Sequence, residues 1–326
     1  MKKTPKIKTK ASKEAMRWGA DDGSTSAELA QQPGLGGNDF DVLMQHEADG
    51  VLAAKKIVAK LKERGVCLCQ ANAPQQLVVA AYDEAESLWE EGNFVPPLRV
   101  HDDASLLESR LWRPALQDED RVYWVKGSPE GGEATAGTAA LATNALRLLA
   151  GNLKDFGAGL NDQLQSQLGL SFNRLGQTML SCYTGDRTYA LHLDNCHGSE
   201  DEDGGSVLPD NGLRLTLVYY INLYWDPETG YNGGGLDVHL TDPSKTPESA
   251  AAARGTRALR IAPHADTLAI FLSDRMAHRV VETKGTDPRF CLTLWCLDGE
   301  IMQKAARTLN TMRVAQRQTD DSDAED

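Results

Sequence analysis

The second half of the chain contains a succession of short apolar or alternating runs separated by turn residues. In order they are TMLSCY, TYALHLD, LRLTLVYYINLYW, GGLDVHL, DTLAIFLSD and RFCLTLWCLDG. Short runs at this spacing predict β-strands of a sandwich or barrel. This pattern limits the fold more than any other feature, because strands that alternate in polarity must bury their apolar faces against a shared core.

The first half has helical periodicity instead. Apolar residues recur on one face of a segment that ends before Gly65, a residue suited to a C-cap, and these are Val51, Ala54, Val58 and Leu61. Further helices are predicted over 75–91 and within 139–165, and VCLCQ is predicted to be a strand. Helices followed by strands indicate an α+β fold in which the helices pack on one sheet of a β-sandwich.

Both ends of the chain have the composition of disordered segments. Residues 1–37 mix Lys, Ser, Gly, Gln and Pro without a period and predict a basic, polar arm. Residues 311–326 end in TDDSDAED and predict an acidic tail. We therefore expect one domain over 38–310, with helical support in 38–165 and a strand-rich core in 170–300.

Charge and cysteine usage exclude several classes of protein. The net charge of −13 argues against nucleic-acid binding, which needs a basic surface. None of the six cysteines forms a CxxC pair, so a zinc ribbon or a thioredoxin-type site is not expected. No apolar window is long enough for a membrane, and the N-terminal MKKTPKIKTKASK lacks the apolar region of a secretory signal. We expect a cytoplasmic protein, or a nuclear one if that basic start is a localisation signal.

The run TYALHLD places His192 and Asp194 two residues apart. Residues i and i+2 of a strand share a face, so both side chains, with Ala190, are predicted to project to one side. The opposite, apolar face is formed by Tyr189, Leu191 and Leu193. An imidazole and a carboxylate can be neighbouring ligands of a metal. The same pair also fits two polar side chains on the wet face of a strand, so a third ligand has to decide.

His278 is the histidine in the strongest strand context. It lies in SDRMAHRVV, directly after the strand candidate TLAIFLSD. Two histidines and one carboxylate, with three positions left open, form the facial triad of non-haem Fe(II) oxygenases. The ordered set of His192, Asp194 and His278 on successive strand candidates therefore favours a metal site.

Arg289 begins the next strand candidate, RFCLTLWCL, and predicts a second component of such a site. Oxygenases of this type take electrons from 2-oxoglutarate, whose distal carboxylate suits a guanidinium fork. Tyr220 could donate a hydrogen bond to the same carboxylate. The alternatives are a surface salt bridge for Arg289 and an ordinary core position for Tyr220. Alternation predicts that three further residues share the face of Arg289, namely Cys291, Thr293 and Trp295.

Together these runs resemble the intracellular prolyl 4-hydroxylases of the hypoxia-inducible-factor oxygen-sensor type. The resemblance covers about residues 45–305 and is carried by SCYTGDRTYALHLDN, LRLTLVYYINLYWD, GGGLDVHL, LAIFLSDRMAHRVVET and RFCLTLWCLDGE, with KLKERGVCLC and DRVYWVKG upstream. It implies a double-stranded β-helix (jelly-roll) core over 170–300 with N-terminal helical support.

The resemblance also assigns roles. His192, Asp194 and His278 match the iron ligands, and Arg289 and Tyr220 match the residues that bind the far carboxylate of 2-oxoglutarate. Matches in the co-substrate pocket are Tyr183, Thr293 and Trp295. Matches at the substrate entrance are Asp120, Arg214 and Trp295. The implied reagents are Fe(II), 2-oxoglutarate and O2, with ascorbate as a reductant.

The implied function is prolyl 4-hydroxylation of an intracellular protein by a monomer, in the manner of an oxygen sensor. The substrates of relatives are hypoxia-inducible factor, the adaptor of an SCF-type ubiquitin ligase and elongation factor Tu. Two alternatives remain, a hydroxylase of a small molecule or free amino acid, and a non-catalytic binding module. The complete ligand set argues against the latter. Leu191, where the animal enzymes have Arg, and the long acidic segment 197–212 leave the protein substrate open.

Overall fold

The computed structural model describes residues 39–47, 49–94, 121–125, 144–198, 209–225 and 232–308. The predicted arm over 1–37, the predicted tail over 311–326 and Asp120 lie outside the described residues. The acidic run over 200–203 also lies outside them.

The described helices are α1 Gly50–Arg64, α2 Gln75–Glu90 and α3 Ala145–Leu168, with α4 described over 299–308. The predicted end of α1 is confirmed. Gly65 has a left-handed φ of 78°, and its N–H donates to the carbonyl of Leu61 at 2.8 Å. Only glycine fits there, because a Cβ would also collide with the side chain of Met276. None of the helices in the described ranges is long and apolar enough to cross a membrane.

Twelve strands are described. Those of the first half and the start of the second are β1 Val42–Leu43, β2 Val66–Gln70, β3 Arg121–Trp124, β4 Arg174–Leu175, β5 Met179–Tyr183 and β6 Tyr189–His192. The remaining strands are β7 Leu213–Tyr220, β8 Leu236–His239, β9 Ala258–Ile261, β10 Thr267–Leu272, β11 His278–Val280 and β12 Arg289–Leu297. The predicted strand VCLCQ is β2, and RFCLTLWCL is β12.

The strands form two sheets with a cavity between them. The larger sheet has the order β1-β2-β10-β7-β12-β5-β3, with β4 paired to β12, and the smaller sheet has the order β6-β11-β8-β9. Apart from the parallel pair β1–β2, the paired strands are antiparallel. The arrangement is a double-stranded β-helix in an α+β fold, so the predicted fold class is confirmed.

The helices cover the outer face of the larger sheet. α3 packs against α1, α2 and β12. A Cβ at Gly157 of α3 would lie 3.3 Å from Sγ of Cys296, so helix and strand approach closely at that glycine. Along β12, the residues that alternate with Cys296 line the inner cavity, among them Arg289 and Trp295. The sheet is therefore apolar on the helix side and carries polar groups on the cavity side.

One predicted strand face is wrong in detail because β6 contains a bulge. His192 pairs with His278 and Tyr189 pairs with Val280, so two residues of β6 oppose one residue of β11. Tyr189 and His192 consequently both face the cavity, while Ala190 is exposed. The strand ends at His192, and Asp194 follows it in a bend rather than continuing the alternation.

The predicted strand LRLTLVYYINLYW is also shorter than expected, since β7 ends at Tyr220. Continued alternation along this run would put Asn222 on the face of Tyr220, but its side chain turns to the backbone instead. Its side-chain amide donates to the carbonyls of Pro263 at 2.7 Å and Phe290 at 3.0 Å, and its oxygen accepts from the N–H of Phe290 at 2.7 Å. Asn222 therefore fixes the start of β12, next to Arg289.

Candidate active site

The cavity between the sheets is lined by residues of β5, β6, β7, β8, β11 and β12, together with Asp194. A group of two histidines and one carboxylate occupies one part of it, which we call the metal end, formed by His192, Asp194 and His278. Arg289, at the start of β12, marks the arginine end. Both ends are buried, so a ligand between them would be shielded from water.

The metal end has the geometry of a three-ligand site. One ligand atom from each residue lies within 4.8 Å of the others. Nε2 of His192 lies 3.6 Å from Oδ1 of Asp194, and Nε2 of His278 lies 4.0 Å from Oδ2. Antiparallel pairing of β6 with β11 sets the two histidines opposite each other, with ring centroids 4.2 Å apart.

The histidines are oriented by the backbone. Nδ1 of His192 lies 2.9 Å from the carbonyl of Ala190, and Nδ1 of His278 lies 3.1 Å from the carbonyl of Met276. A carbonyl only accepts, so each Nδ1 carries the proton in these bonds. In the neutral imidazole, Nε2 then carries the lone pair and presents it to the cavity, as metal-binding imidazoles require.

The carboxylate of Asp194 is held by two donors on one oxygen. Its Oδ2 accepts from Oγ1 of Thr216 at 2.5 Å and from Nε1 of Trp295 at 3.1 Å. Since the hydroxyl proton of Thr216 goes to the carboxylate, Ser273, whose Oγ lies 2.9 Å away, must donate to Thr216. Oδ1 is left as the oxygen with capacity for a metal.

The charge of Asp194 is also fixed by its surroundings. Burial alone would raise the pKa of Asp194, but its interactions with His278, His192 and Thr216 outweigh burial and hold the pKa well below its ordinary value. The backbone is fixed too, because the amide of Asn211 donates to the carbonyl of Asp194 at 2.8 Å. Asp194 is therefore ionised at neutral pH, which metal binding requires.

At the arginine end, Arg289 is completely buried and its charge has no carboxylate partner within the described ranges. Its Nη2 lies 3.4 Å from Oη of Tyr220, its Nη1 lies 3.9 Å from Sγ of Cys291, and its Nε has no hydrogen-bond partner among the described residues. The guanidinium carbon lies 5.3 Å and 5.0 Å from the ring centroids of Tyr183 and Tyr220. The rings offset part of the cost of burying the charge.

The protonation states at this end favour an anion. Burial alone would lower the pKa of Arg289, but Tyr220, Cys291 and Tyr183 raise it, so the guanidinium stays charged. Burial raises the pKa of Tyr220, so its phenol keeps a proton to donate. A buried cation with an orphaned N–H is costly unless an anion completes it. The far carboxylate of 2-oxoglutarate fits this requirement.

Comparison with known proteins agrees with this geometry. Residues 178–297 match the family model of the 2OG-Fe(II) oxygenase superfamily. Over these residues, which contain the metal end and the arginine end, the chain is similar to that superfamily. Fe(II) and 2-oxoglutarate are the reagents of this family, and the His–Asp–His group of this chain fits that metal. A search of the curated proteins found no match.

Several solved structures are similar to this chain. A prolyl hydroxylase from Trichoplax adhaerens, in complex with a hypoxia-inducible-factor peptide fragment, is similar with 20% identity and a TM-score of 0.53, covering 78% of this chain and 92% of that chain. A prolyl-4-hydroxylase from Pseudomonas putida is 19% identical, with a TM-score of 0.48 and coverage of 75% and 98%. The 2-oxoglutarate-dependent carbocyclase of nogalamycin biosynthesis is 14% identical, with a TM-score of 0.46 and coverage of 75% and 83%.

The structure brings most of the predicted site residues together. All of the following line the one cavity: His192, Asp194, His278, Arg289, Tyr220, Tyr183, Thr293 and Trp295. Arg214 is placed elsewhere, because its guanidinium forks onto Asp210 with bonds of 2.9 and 3.0 Å. Asp210 also accepts from the side chain of Asn195 at 2.9 Å. Through Asp210, Arg214 is thereby linked to Asn195, so the residues at the two ends of the acidic segment are connected.

Two residues of the site were not predicted. Thr216 could have been found from strand alternation, since it lies on the same face of β7 as Tyr220. Ser273 had no such signal. It follows β10 in a turn, and only the fold brings its hydroxyl to Thr216.

Proposed function

We propose that this protein is a 2OG-Fe(II) oxygenase, and specifically a prolyl 4-hydroxylase that acts on an intracellular protein. The observation that carries the proposal is the pairing, in one buried cavity, of the His–Asp–His group with the uncompensated Arg289. Proline as the target is supported by the motif resemblance and by the Trichoplax adhaerens prolyl hydroxylase, which shares the fold. The reaction converts 2-oxoglutarate, O2 and a prolyl residue into succinate, CO2 and 4-hydroxyproline.

The roles of the residues follow from their positions. His192, Asp194 and His278 would hold Fe(II), and Arg289 with Tyr220 would bind the far carboxylate of 2-oxoglutarate. The pocket wall would be completed by Tyr183, Thr293 and Trp295. When bound, Fe(II) and 2-oxoglutarate supply the oxidising chemistry with O2, and ascorbate would serve as reductant. The chain's own work is to orient these groups and to exclude water.

The protein substrate is proposed by the same resemblance. Candidates are hypoxia-inducible factor, the adaptor of an SCF-type ubiquitin ligase and elongation factor Tu, and the setting would be oxygen sensing by a monomer in the cytoplasm or nucleus. Asp120 and Arg214 are proposed to shape the substrate entrance. The fork of Arg214 on Asp210 supports an indirect role for that arginine, as an anchor of the acidic segment beside Asp194.

The test is to incubate the full-length protein with Fe(II), 2-oxoglutarate, ascorbate and each candidate protein. We expect release of succinate together with the mass of one added oxygen atom on a proline, mapped by mass spectrometry. His192→Ala provides the inactive control. Comparable iron-dependent turnover on free proline alone would contradict the proposal and favour a small-molecule hydroxylase. An absence of succinate release with any substrate would favour a non-catalytic binding module.

A further inference from the structure

The triple-glycine segment Gly233–Gly235 precedes β8 and has no role in the site as described so far. Two of its residues adopt the left-handed conformation, with φ of 64° at Gly233 and 68° at Gly234. A Cβ at Gly234 would lie 2.8 Å from Cδ and 3.2 Å from Nε of Arg289, and 2.9 Å from Cγ2 of Thr283. Arg289 thus occupies the space that a side chain at residue 234 would need.

Backbone hydrogen bonds hold the glycine segment in place beside Arg289. The N–H of Gly234 donates to the carbonyl of Glu282 at 2.9 Å, and the N–H of Val281 donates to the carbonyl of Gly235 at the same distance. These bonds attach both sides of Gly234 to the segment between β11 and β12. An added Cβ therefore acts on its neighbours rather than moving the backbone.

Thr283, the second neighbour, is also fixed. Its N–H and its hydroxyl both donate to the carbonyl of Arg187, at 2.9 and 3.1 Å, and its hydroxyl oxygen accepts from the N–H of Arg187 at 3.1 Å. Of the two groups that touch Gly234, the side chain of Arg289 is the one that can shift. Tyr183 and Tyr220 stand against its guanidinium, so a shift would take the guanidinium out of its present position.

We propose that Gly234 is a positioning residue that sets the place of the Arg289 guanidinium, and thereby selects 2-oxo acids with a second carboxylate. The inference rests on the proposed co-substrate role of Arg289. Any side chain at residue 234 should impair recognition of the distal carboxylate. Recognition of the 2-oxo acid group, which belongs to the metal end, should be unaffected.

The test compares two ligands on Gly234→Ala. We would load the full-length protein with Mn(II), exclude O2, and measure binding of 2-oxoglutarate and of 2-oxovalerate by calorimetry. 2-Oxovalerate has the same 2-oxo acid group and carbon count without the distal carboxylate. We expect the Kd of 2-oxoglutarate to rise roughly tenfold to hundredfold, as for the loss of a charged hydrogen bond, and that of 2-oxovalerate to stay unchanged.

Gly169→Ala is the matched control. Gly169 ends α3 with a φ of 67°, and nothing lies within 4 Å of the Cβ it would gain. The control therefore carries the same backbone strain without the contact to Arg289, and its affinity for 2-oxoglutarate should equal that of the wild type. If Gly234→Ala does not fold, Gly234→Ala combined with Thr283→Ser replaces it, because that pair relieves one collision and keeps the one with Arg289.

Wild-type affinity of Gly234→Ala for 2-oxoglutarate would overturn the proposal, and so would an equal loss for both ligands. In an Arg289→Met background, addition of Gly234→Ala should weaken 2-oxoglutarate binding no further. The proposed function fails separately, if the wild type binds 2-oxoglutarate but hydroxylates no proline. Binding of 2-oxoglutarate and 2-oxovalerate would still test the role of Gly234 in that case, since the measurement uses no protein substrate.

Discussion

The two ends of the cavity treat charge in opposite ways. At the metal end, Asp194 has a hydroxyl and an indole N–H on one oxygen and two histidines beside it. At the arginine end, Arg289 is as deeply buried but has two aromatic rings, a thiol and an orphaned Nε in place of a carboxylate. The protein thus supplies its carboxylate with hydrogen-bond donors of its own and leaves its arginine to be balanced by a ligand.

This difference separates stability from binding. A buried carboxylate with several donors belongs to the folded structure, and its loss removes the hydrogen bonds from those donors. A buried cation without a counter-charge costs free energy in the ligand-free protein, and an anionic ligand recovers part of that cost on binding. Substitution of Asp194 should therefore lower the free energy of unfolding, whereas substitution of Arg289 should lower ligand affinity without destabilising the protein.

Asp194→Ala should have the largest effect. We expect loss of Mn(II) binding, and a fall in the free energy of unfolding of about 1–3 kcal/mol, because Thr216 and Trp295 each lose a hydrogen bond to Oδ2. Calorimetry and denaturant titration measure the two quantities. Asp194→Asn is the control, since it keeps an oxygen for both donors but removes the charge. It should lose most of the metal affinity and less of the stability, and equal destabilisation by the two variants would contradict the assignment of donors.

Arg289→Met should have the second-largest effect, and it should act on ligand affinity rather than on stability. The affinity for 2-oxoglutarate should fall roughly tenfold to hundredfold, while the ligand-free protein keeps or gains stability because an uncompensated buried charge is removed. Thermal unfolding with and without 2-oxoglutarate measures both, since a bound ligand raises apparent stability. Arg260→Met is the control, because Arg260 forks onto Asp237 on the smaller sheet, away from the cavity lining. A marked destabilisation of the ligand-free Arg289→Met protein would contradict the inference that the charge of Arg289 is uncompensated without a ligand.

Thr216→Val tests the metal end more finely. It preserves shape but removes the hydroxyl that donates to Asp194, so Mn(II) affinity should fall about tenfold. Thr216→Ser should restore it. The matched control is Thr256→Val, which loses a 2.7 Å bond to the carbonyl of Ala253 and should bind metal normally. Equal metal affinity in the valine and serine variants would show that the hydroxyl does not position Asp194.

The smallest effect is expected at a pair outside the cavity. His197 is partly exposed, and the carboxylate of Asp274, 3.7 Å from its Nε2, raises the pKa of His197 above its usual 6.5 despite partial burial. The folded form therefore binds the proton more tightly, so this pair stabilises the protein below about pH 6.5 and ceases to do so as the pH rises through the folded pKa. An NMR titration should show the raised pKa, and Asp274→Asn should lower it. An unchanged His197 pKa in that variant would exclude Asp274 as the cause.

Much of this protein was predictable because strand and helix periods are local properties. The alternation in RFCLTLWCL placed Arg289, Thr293 and Trp295 on one face, and the structure has all three on the cavity wall. The end of α1 at Gly65 followed from the conformational freedom of glycine alone. The ordered appearance of His192, Asp194 and His278 on strand candidates predicted a metal site, and the fold brings them together.

The tertiary structure decided what depends on distant parts of the chain. The bulge in β6 arises from its pairing with β11, so local alternation placed Ala190 on the wrong side. The donor order from Ser273 through Thr216 exists only because two strands meet beside Asp194. The sequence by itself determined which residues of β12 face the cavity, because the side chains of a regular strand alternate whatever strand it pairs with. Contacts between distant segments decided that Asp194 has hydrogen-bond donors and that Arg289 lacks a counter-charge, and no local sequence pattern predicts such contacts.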